Sequence, residues 1–317
     1  MKTSLVMAIY NGEKYIIEQL ESILNQTVEI DEAILIDDCS TDNSYEIVQK
    51  FITDHHLNNW KLMKNDNNLG YRNNFKKGLE MSTGDIIFLS DQDDHWHANK
   101  VETMLNYMDE NVFTLASSFQ FMNQQGEPFE VKKIKGRSNN NLLFQEVDQD
   151  LTEIKLGSLL EMNFSQGCTM AIRQSIIQEF LNVTTGVLPH DWELNIISST
   201  HHGCYYLDIP LIDYRIHNNN TTGLENVIDK DKMREKRINS RSDFIQQQID
   251  ISSFALTLNL DLKQKDLCLK YKEYLSYRVN AMRNKKIFSL IIYFLKGKYG
   301  RFGRIKTFIG DVINVIK

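Results

Sequence analysis

The chain has 317 residues, 42% of them hydrophobic and 25% charged, with a formal net charge of −6. Such a length and composition suit one large globular domain plus a smaller appendage, and the negative balance argues against a general nucleic-acid binder, which needs a basic face against phosphate. The four cysteines (Cys39, Cys168, Cys204 and Cys268) stand far apart with no CxxC pair, which argues against a disulfide framework or zinc site and fits reduced thiols in a cytosolic setting.

In chain order, Ser4–Ile9 is a continuous apolar run suited to a buried parallel strand. After a loop at Tyr10–Gly12, the residues Ile16, Ile17, Leu20, Ile23 and Leu24 fall at helical spacing. Ala33–Ile36 predicts a second strand ending in Asp37 and Asp38, and Thr41 or Asp42 is placed to cap a helix that turns Ile47, Val48 and Phe51 inward. Lys61–Met63 predicts a short strand, Asn74–Met81 a helix, and Asp85–Ser90 a fourth strand running into Asp91, Gln92, Asp93 and Asp94. The order βαβαβαβ predicts an α/β fold with a Rossmann-like, mainly parallel sheet flanked by helices. Ligands in such sheets bind beyond the carboxyl ends of the strands. Tyr10 and Asn11, Asp37 and Asp38, and the 91–94 acids all follow strand ends, so one shared crevice is expected.

Val112–Phe121 reads as a further strand, and 123–150 as polar loop with a turn at Gly126-Glu127-Pro128. Gly167–Ile172 reads as a strand, Trp192–Ser199 as a helix, and Cys204–Arg215 as two short strands broken at Pro210. Beyond Gly223 the chain has helical character, with apolar residues spaced among many charges.

Asp91, Asp93 and Asp94 are three anions crowded after an apolar strand. They repel one another unless a cation sits among them, and their hard oxygens suit Mg²⁺ or Mn²⁺. The alternative is a solvated, helix-capping turn. The runs Val6-Met7-Ala8-Ile9-Tyr10-Asn11-Gly12, Ile36-Asp37-Asp38-Cys39-Ser40-Thr41-Asp42, Asn68-Leu69-Gly70 and Asp91-Gln92-Asp93-Asp94 resemble, in order and spacing across roughly residues 3–110, the family-2 inverting glycosyltransferases. DQDD followed by Trp96 is similar to the rhamnosyltransferase-like branch.

The resemblance implies a GT-A fold over residues 1–224, with a nucleotide-binding half at 1–110, an acceptor half at 111–224, and a helical C-terminal region at 225–317. It implies donor contacts from Ala8, Tyr10, Asn11, Glu13, Gly70, Asp91 and Gln92. Asp38 would accept from a pyrimidine N–H, a task suited to an acceptor-only carboxylate; capping the next helix is its alternative role. Arg72 would pair with diphosphate or base, or else be an exposed helix residue. Asp93 is the implied main metal ligand, with Asp91 on the metal or the ribose and Asp94 orienting the loop.

Inverting transfer needs a base for the acceptor hydroxyl. Pro189-His190-Asp191-Trp192 resembles the family's acidic base motif, with Asp191 as the implied base, set by a helix starting at Trp192, and His190 in place of the first acid. Asp191 as a plain helix cap is the alternative. His190 and Trp192 are the expected acceptor contacts, with a core anchor the other reading of Trp192. In some family members a histidine about two dozen residues on completes the metal shell, which implicates His217, although a lone histidine is often structural. Cys168 reads as a small buried residue.

No apolar run approaches the ~20 residues that span a bilayer, the longest being Ile287–Leu295, and MKTSLVMAIYNGE is not signal-like. Between Ala281 and Lys317, nine Lys or Arg face the single acid Asp311 and interleave with Ile287, Phe288, Leu290, Ile291, Phe294, Leu295, Phe302, Ile305, Phe308 and Ile309. The expectation is peripheral contact with the inner face of a bacterial cell membrane, or packing on the catalytic domain or a partner subunit. The expected partners are a dTDP- or UDP-sugar donor and a saccharide or lipid-linked glycan acceptor, with dTDP-rhamnose the donor expected first and oligomerisation open. Two rivals are a sugar nucleotidyltransferase, whose Gly-rich basic loop after the first strand is missing from Ile9-Tyr10-Asn11-Gly12-Glu13, and a non-catalytic assembly protein, in which loss of the acids is expected, whereas Asp91, Asp93 and Asp191 are all present.

Overall fold

The structure, a computed structural model, describes residues 1–186, 188–217, 241–300 and 305–316. These form two compact units: Met1–Lys155 with 163–217, and Leu156–Met162 with the described residues from 241 onward. The expected boundary at 224/225 lies outside the described residues, as does Phe302 of the basic tail.

The first unit runs β1 (Thr3–Ile9), α1 (Ile16–Leu24), β2 (Glu32–Asp37), α2 (Ser44–Asp54), β3 (Trp60–Lys64), α3 (Tyr71–Met81), β4 (Ile86–Ser90), β5 (His95–Trp96), α4 (Lys100–Tyr107), β6 (Thr114–Met122), β7 (Pro128–Phe129) and β8 (Leu151–Glu153). The chain then gives α5 (Leu156–Glu161) to the second unit and returns with β9 (Met170–Arg173), α6 (Gln174–Val183), α7 (His190–Thr200) and β10 (Cys204–Arg215). Among the described residues, the ten strands join one sheet with the path β3-β2-β1-β4-β9-β6-β10-β5, with β7 on β6 and β8 on β10. Pairs from β3 through β4 are parallel, as is β6 with β10; β9 runs antiparallel between β4 and β6.

The parallel half follows from its sequence. β2 and β4 are buried at every position and β1 at all but Ala8, as a strand covered by helices on both faces must be. α1 seats Ile16, Leu20 and Ile23 against that sheet. Register pairs Ile9 with Asp37 and Met7 with Ser90, so the loops after β1, β2 and β4 emerge along one sheet edge.

Four local expectations need correction. Gly167–Thr169 is a 3-10 turn, and the strand begins at Met170. Cys204–Arg215 is one strand; its register shifts on either side of Pro210, because proline has no N–H for the ladder and is absorbed by a bulge. α7 starts at His190, so Asp191 lies within its first turn. At α2 the cap position is Asn43, while Asp42 Oδ1 accepts the Ser44 amide at 3.0 Å.

The second unit comprises α5, α8 (Arg241–Ala255), α9 (Leu262–Arg283), α10 (Ile287–Leu295) and α11 (Ile305–Ile316). A capping box opens α9: Asp261 accepts the Lys263 and Gln264 amides, and Gln264 reaches back to the Asp261 N–H. Leu275, Cys268 and Leu290 lie in its core, together with Asp311, which accepts from Arg278, Arg241 and Tyr299. Among the described residues, no helix is long and apolar enough to cross a membrane.

Candidate active site

Beyond the ends of β1 and β4, the Gln92 side chain clamps the Tyr10 backbone, accepting from its N–H at 2.8 Å and donating to its carbonyl at 2.9 Å. A Cβ on Gly12 would lie 2.3 Å from Gln92 Oε1, so only glycine admits this clamp. Asn11 takes φ +50, a left-handed conformation that asparagine tolerates, and its Oδ1 accepts the Thr41 amide at 2.8 Å. Glu13 Oε2 accepts both N–H groups of Asn43. Asn11 and Glu13 thus stitch the β1–α1 loop to the β2–α2 loop, leaving the Tyr10 ring and half-exposed Ala8 facing solvent.

Asp38 is buried, and its carboxylate accepts from Leu69 N and Asn65 Nδ2 at Oδ1 and from Gly70 N at Oδ2, each at 2.8 Å. It shapes the turn that launches α3, where Gly70 holds φ +77. Arg72, half-buried in the first turn of α3, lies over the Tyr71 ring and close enough to Asp191 to lower that carboxyl's proton affinity.

The acid loop is built on Arg215 at the end of β10. Its backbone N–H donates to Asp94 Oδ1 at 3.0 Å, its Nε to the Asp93 carbonyl at 2.8 Å, and its guanidinium reaches Glu18 at 2.6 Å while lying over the Tyr15 ring. Two residues on, His217 Nε2 sits 2.7 Å from Asp93 Oδ2. Burial first, and the Asp93 and Asp191 charges beside it, push the Asp91 carboxyl up to about 7. Asp94 lies well above its ordinary range for the same first reason, with Asp93 and Asp91 adding to it. Buried Lys100 partly offsets these charges: its Nζ donates to the Cys168 carbonyl at 2.7 Å, stands 3.6 Å from the Trp96 ring centre, and is brought down to about 7 by burial.

Among the described residues, one group of three brings potential ligand atoms to ligand spacing. Asp91, Asp94 and Cys168 offer atoms within 4.8 Å of one another, but burial raises the Cys168 thiol far above its usual value, and a protonated soft ligand suits neither Mn²⁺ nor Mg²⁺. Asp93 and His217 meet at 2.7 Å and the Asp93 charge is felt at Asp91; their carboxylates and imidazole are donor types that suit Mn²⁺, although these three do not bring ligand atoms within 4.8 Å of one another.

Across the site, Asp191 Oδ2 accepts from Asn163 Nδ2 at 2.8 Å, and Asn195 holds Ser165 at 2.8 Å beneath it. Burial lifts the Asp191 carboxyl to about 6 against the lowering pull of the Trp192 amide and Asn163. Its charge is felt at Asp91. Its two neighbours turn inward. His190 stacks on Phe75 at 4.2 Å, neither ring nitrogen has a hydrogen-bond partner, and burial, with Arg72 nearby, takes it down to about 3. Trp192 is only 5% exposed and leaves almost no ring surface for a sugar, so the core-anchor reading describes its placement. Lys100, Asn163 and Arg215 complete the site without a sequence motif to mark them, although Arg215 at the end of an apolar strand beside His217 was a usable signal.

The Glycosyl transferase family 2 model matches residues 4–180. A dTDP-rhamnosyl transferase, RfbG of Shigella flexneri, is 30% identical over 230 residues, spanning 68% of this chain and 73% of that one. Among solved structures, S. aureus TarS 1–349 in complex with UDP-GlcNAc superposes with a TM-score of 0.61 at 20% identity, covering 92% of this chain and 80% of that one. The mannosyltransferase PcManGT of Pyrobaculum calidifontis, in complex with GDP-Man and Mn²⁺, gives 0.57 at 14% identity, covering 99% and 85%. These likenesses establish the GT-A fold.

Proposed function

The chain belongs to glycosyl transferase family 2, and from that premise we propose an inverting, metal-dependent transfer of a hexose or deoxyhexose from a nucleoside diphosphate to a saccharide or lipid-linked glycan acceptor. Membership of the family makes it a nucleotide-sugar-dependent glycosyltransferase and sets aside the nucleotidyltransferase and assembly-protein rivals.

The observation that carries the reading is Asp191, a buried carboxylate oriented by Asn163 and facing the acid loop. Asp191 takes the proton of the acceptor hydroxyl as that oxygen bonds to the anomeric carbon and the bond to the diphosphate oxygen breaks on the opposite face. A carboxyl lifted to about 6 is a stronger base than an ordinary aspartate and still ionised at neutral pH. Mn²⁺ or Mg²⁺ would be held by Asp93 and His217 with Asp91, and when bound supplies Lewis-acid stabilisation of the leaving diphosphate. Arg72 adds a second positive charge on the Asp191 side. Tyr10, Ala8 and the Asp38-shaped turn at Gly70 flank the nucleoside. dTDP-rhamnose is the proposed donor, supported by the likeness to a dTDP-rhamnosyl transferase, and a UDP-sugar is the second candidate.

The test is a donor-hydrolysis panel of dTDP-rhamnose and UDP-sugars with Mn²⁺, Mg²⁺ or chelator. Hydrolysis is expected only with metal and fastest with dTDP-rhamnose. Asp191→Asn is expected to keep nucleotide affinity and lose about 10²–10⁴-fold in transfer; unchanged turnover in that variant removes Asp191 from the role.

A further inference from the structure

Two helices of the second unit carry large apolar side chains outward. On α10, Phe288 (82% exposed), Ile292 and Leu295 (76%) recur at i, i+4 and i+7 and share a face. On α11, Ile305 (64%), Ile309, Ile313 and Ile316 (70%) recur at i, i+4, i+8 and i+11. The inward side of α11 is polar at its centre: Asp311 is fully buried, accepting from Arg278 at 2.7 and 2.9 Å, Arg241 at 2.7 Å and Tyr299 at 2.7 Å. The usual arrangement, apolar inward and charged outward, is reversed there. The helices pack on each other through Phe294 and Phe308, whose rings stack at 4.3 Å, so one helix pair carries both apolar faces. Scattered exposed leucines need no explanation, but seven large apolar residues on one pair of helices mark a contact surface.

Charge identifies what covers it. Lys285, Lys286, Lys296, Lys298 and Lys306 flank or stud these helices and are all exposed. The single acid from 284 to 316 is Asp311, which is buried and paired. Two copies meeting through this face would bring their lysines together, whereas an anionic surface neutralises them. Helices of 9 and 12 residues are too short to span a bilayer, yet they suit its interface, where apolar side chains reach about 5–10 Å into the headgroup boundary.

We propose that α10 and α11 seat this chain on an anionic phospholipid surface, with Phe288, Leu295 and the α11 isoleucines among the acyl chains and the lysines at the phosphates. The proposal is independent of the glycosyl-transfer reading, and donor hydrolysis in solution serves as its control.

The experiment floats the full chain with vesicles of phosphatidylcholine alone or mixed with phosphatidylglycerol. Binding to the mixed vesicles is expected, with about fivefold in affinity lost for each lysine replaced by glutamine, and weakening as salt rises. The triple variant Phe288→Ser, Leu295→Ser, Ile305→Ser is expected to lose at least about tenfold in vesicle affinity. Its melting temperature and donor hydrolysis should stay at the parent values, because the three side chains are exposed. The proposal is overturned if the parent chain fails to float with anionic vesicles, or if the triple variant floats equally well. It is equally overturned if the parent is an oligomer in solution that the triple variant converts to monomer, since a second copy then covers the face.

Discussion

Asp191 is buried where a carboxylate is costly, and its surroundings turn that cost into basicity. Its carboxyl stands near 6 instead of the ordinary 3.8, with burial the leading cause. In the role proposed for Asp191 the ionised form is the base, so kcat/KM for transfer is expected to fall about tenfold per pH unit below 6 and to level off above it, measured in a pH series with metal saturating. The stability consequence has the opposite sign. A carboxyl raised above its unfolded value favours the fold below the unfolded pKa, and that benefit is lost as pH rises through the folded value. Asp191→Asn removes the buried charge, so at pH 7 it should stabilise the fold by up to about 3 kcal/mol while abolishing transfer. Urea unfolding at pH 7 and pH 5 checks this; a gain that does not shrink at pH 5 would contradict it. His190 differs in that burial lowers it to about 3. Its contribution is present above its unfolded pKa near 6.5 and is lost as pH falls towards 3. The parent should therefore lose roughly 3–5 kcal/mol of stability over that window, and His190→Phe, which keeps a ring against Phe75, should flatten the loss.

At the scale of elements, the β1–α1 loop depends on one missing side chain. Gly12→Ala would set a Cβ 2.3 Å from Gln92 Oε1 and force the amide off the Tyr10 backbone. The expected outcome is a loss of about 1–3 kcal/mol and a rise of roughly tenfold in the donor nucleotide Kd, read by calorimetric titration. This loop also shows what the sequence could reveal. β1, α1, β2 and β4 were legible because burial imprints a period of 3.6 or an unbroken apolar run. The polar clusters after those strands were legible because a parallel sheet delivers successive strand ends to one edge. β10 was not, since Pro210 looks like a break until β6 pairs with residues on both sides of it and absorbs it as a bulge. Nor were Lys100 and Asn163: each gains its meaning from a partner 68 or 28 residues away, a contact that local spacing cannot encode. Gln92 occupies a motif position and Glu13 directly follows one, yet their side chains hold backbone and loop partners, a distinction that only the folded structure makes.

For the whole molecule, charge is divided unevenly. The chain is acidic overall at −6, whereas its last helices carry lysines and one acid. That acid, Asp311, is the electrostatic centre of the second unit. Burial alone would raise its carboxyl, but hydrogen bonds and charge from Arg278 and Arg241 outweigh that and hold it below the ordinary range. A depressed carboxyl contributes stability above its unfolded pKa that is lost as pH falls, so the second unit should loosen in acid. Asp311→Ala leaves buried Arg278 with no carboxylate, a change that costs about 3–5 kcal/mol when a buried pair loses one partner. The cost should be confined to the helices that share the cluster. Hydrogen exchange on the full chain should therefore show faster exchange at α9 and α11 amides, while β1, β2 and β4 amides keep parent protection. Vesicle binding should fall with the helices, and donor hydrolysis should persist. Equal loss of protection in the parallel sheet would mean that the two compact units unfold as one cooperative block, and that the surface carried by α10 and α11 cannot be altered without altering the transferase site.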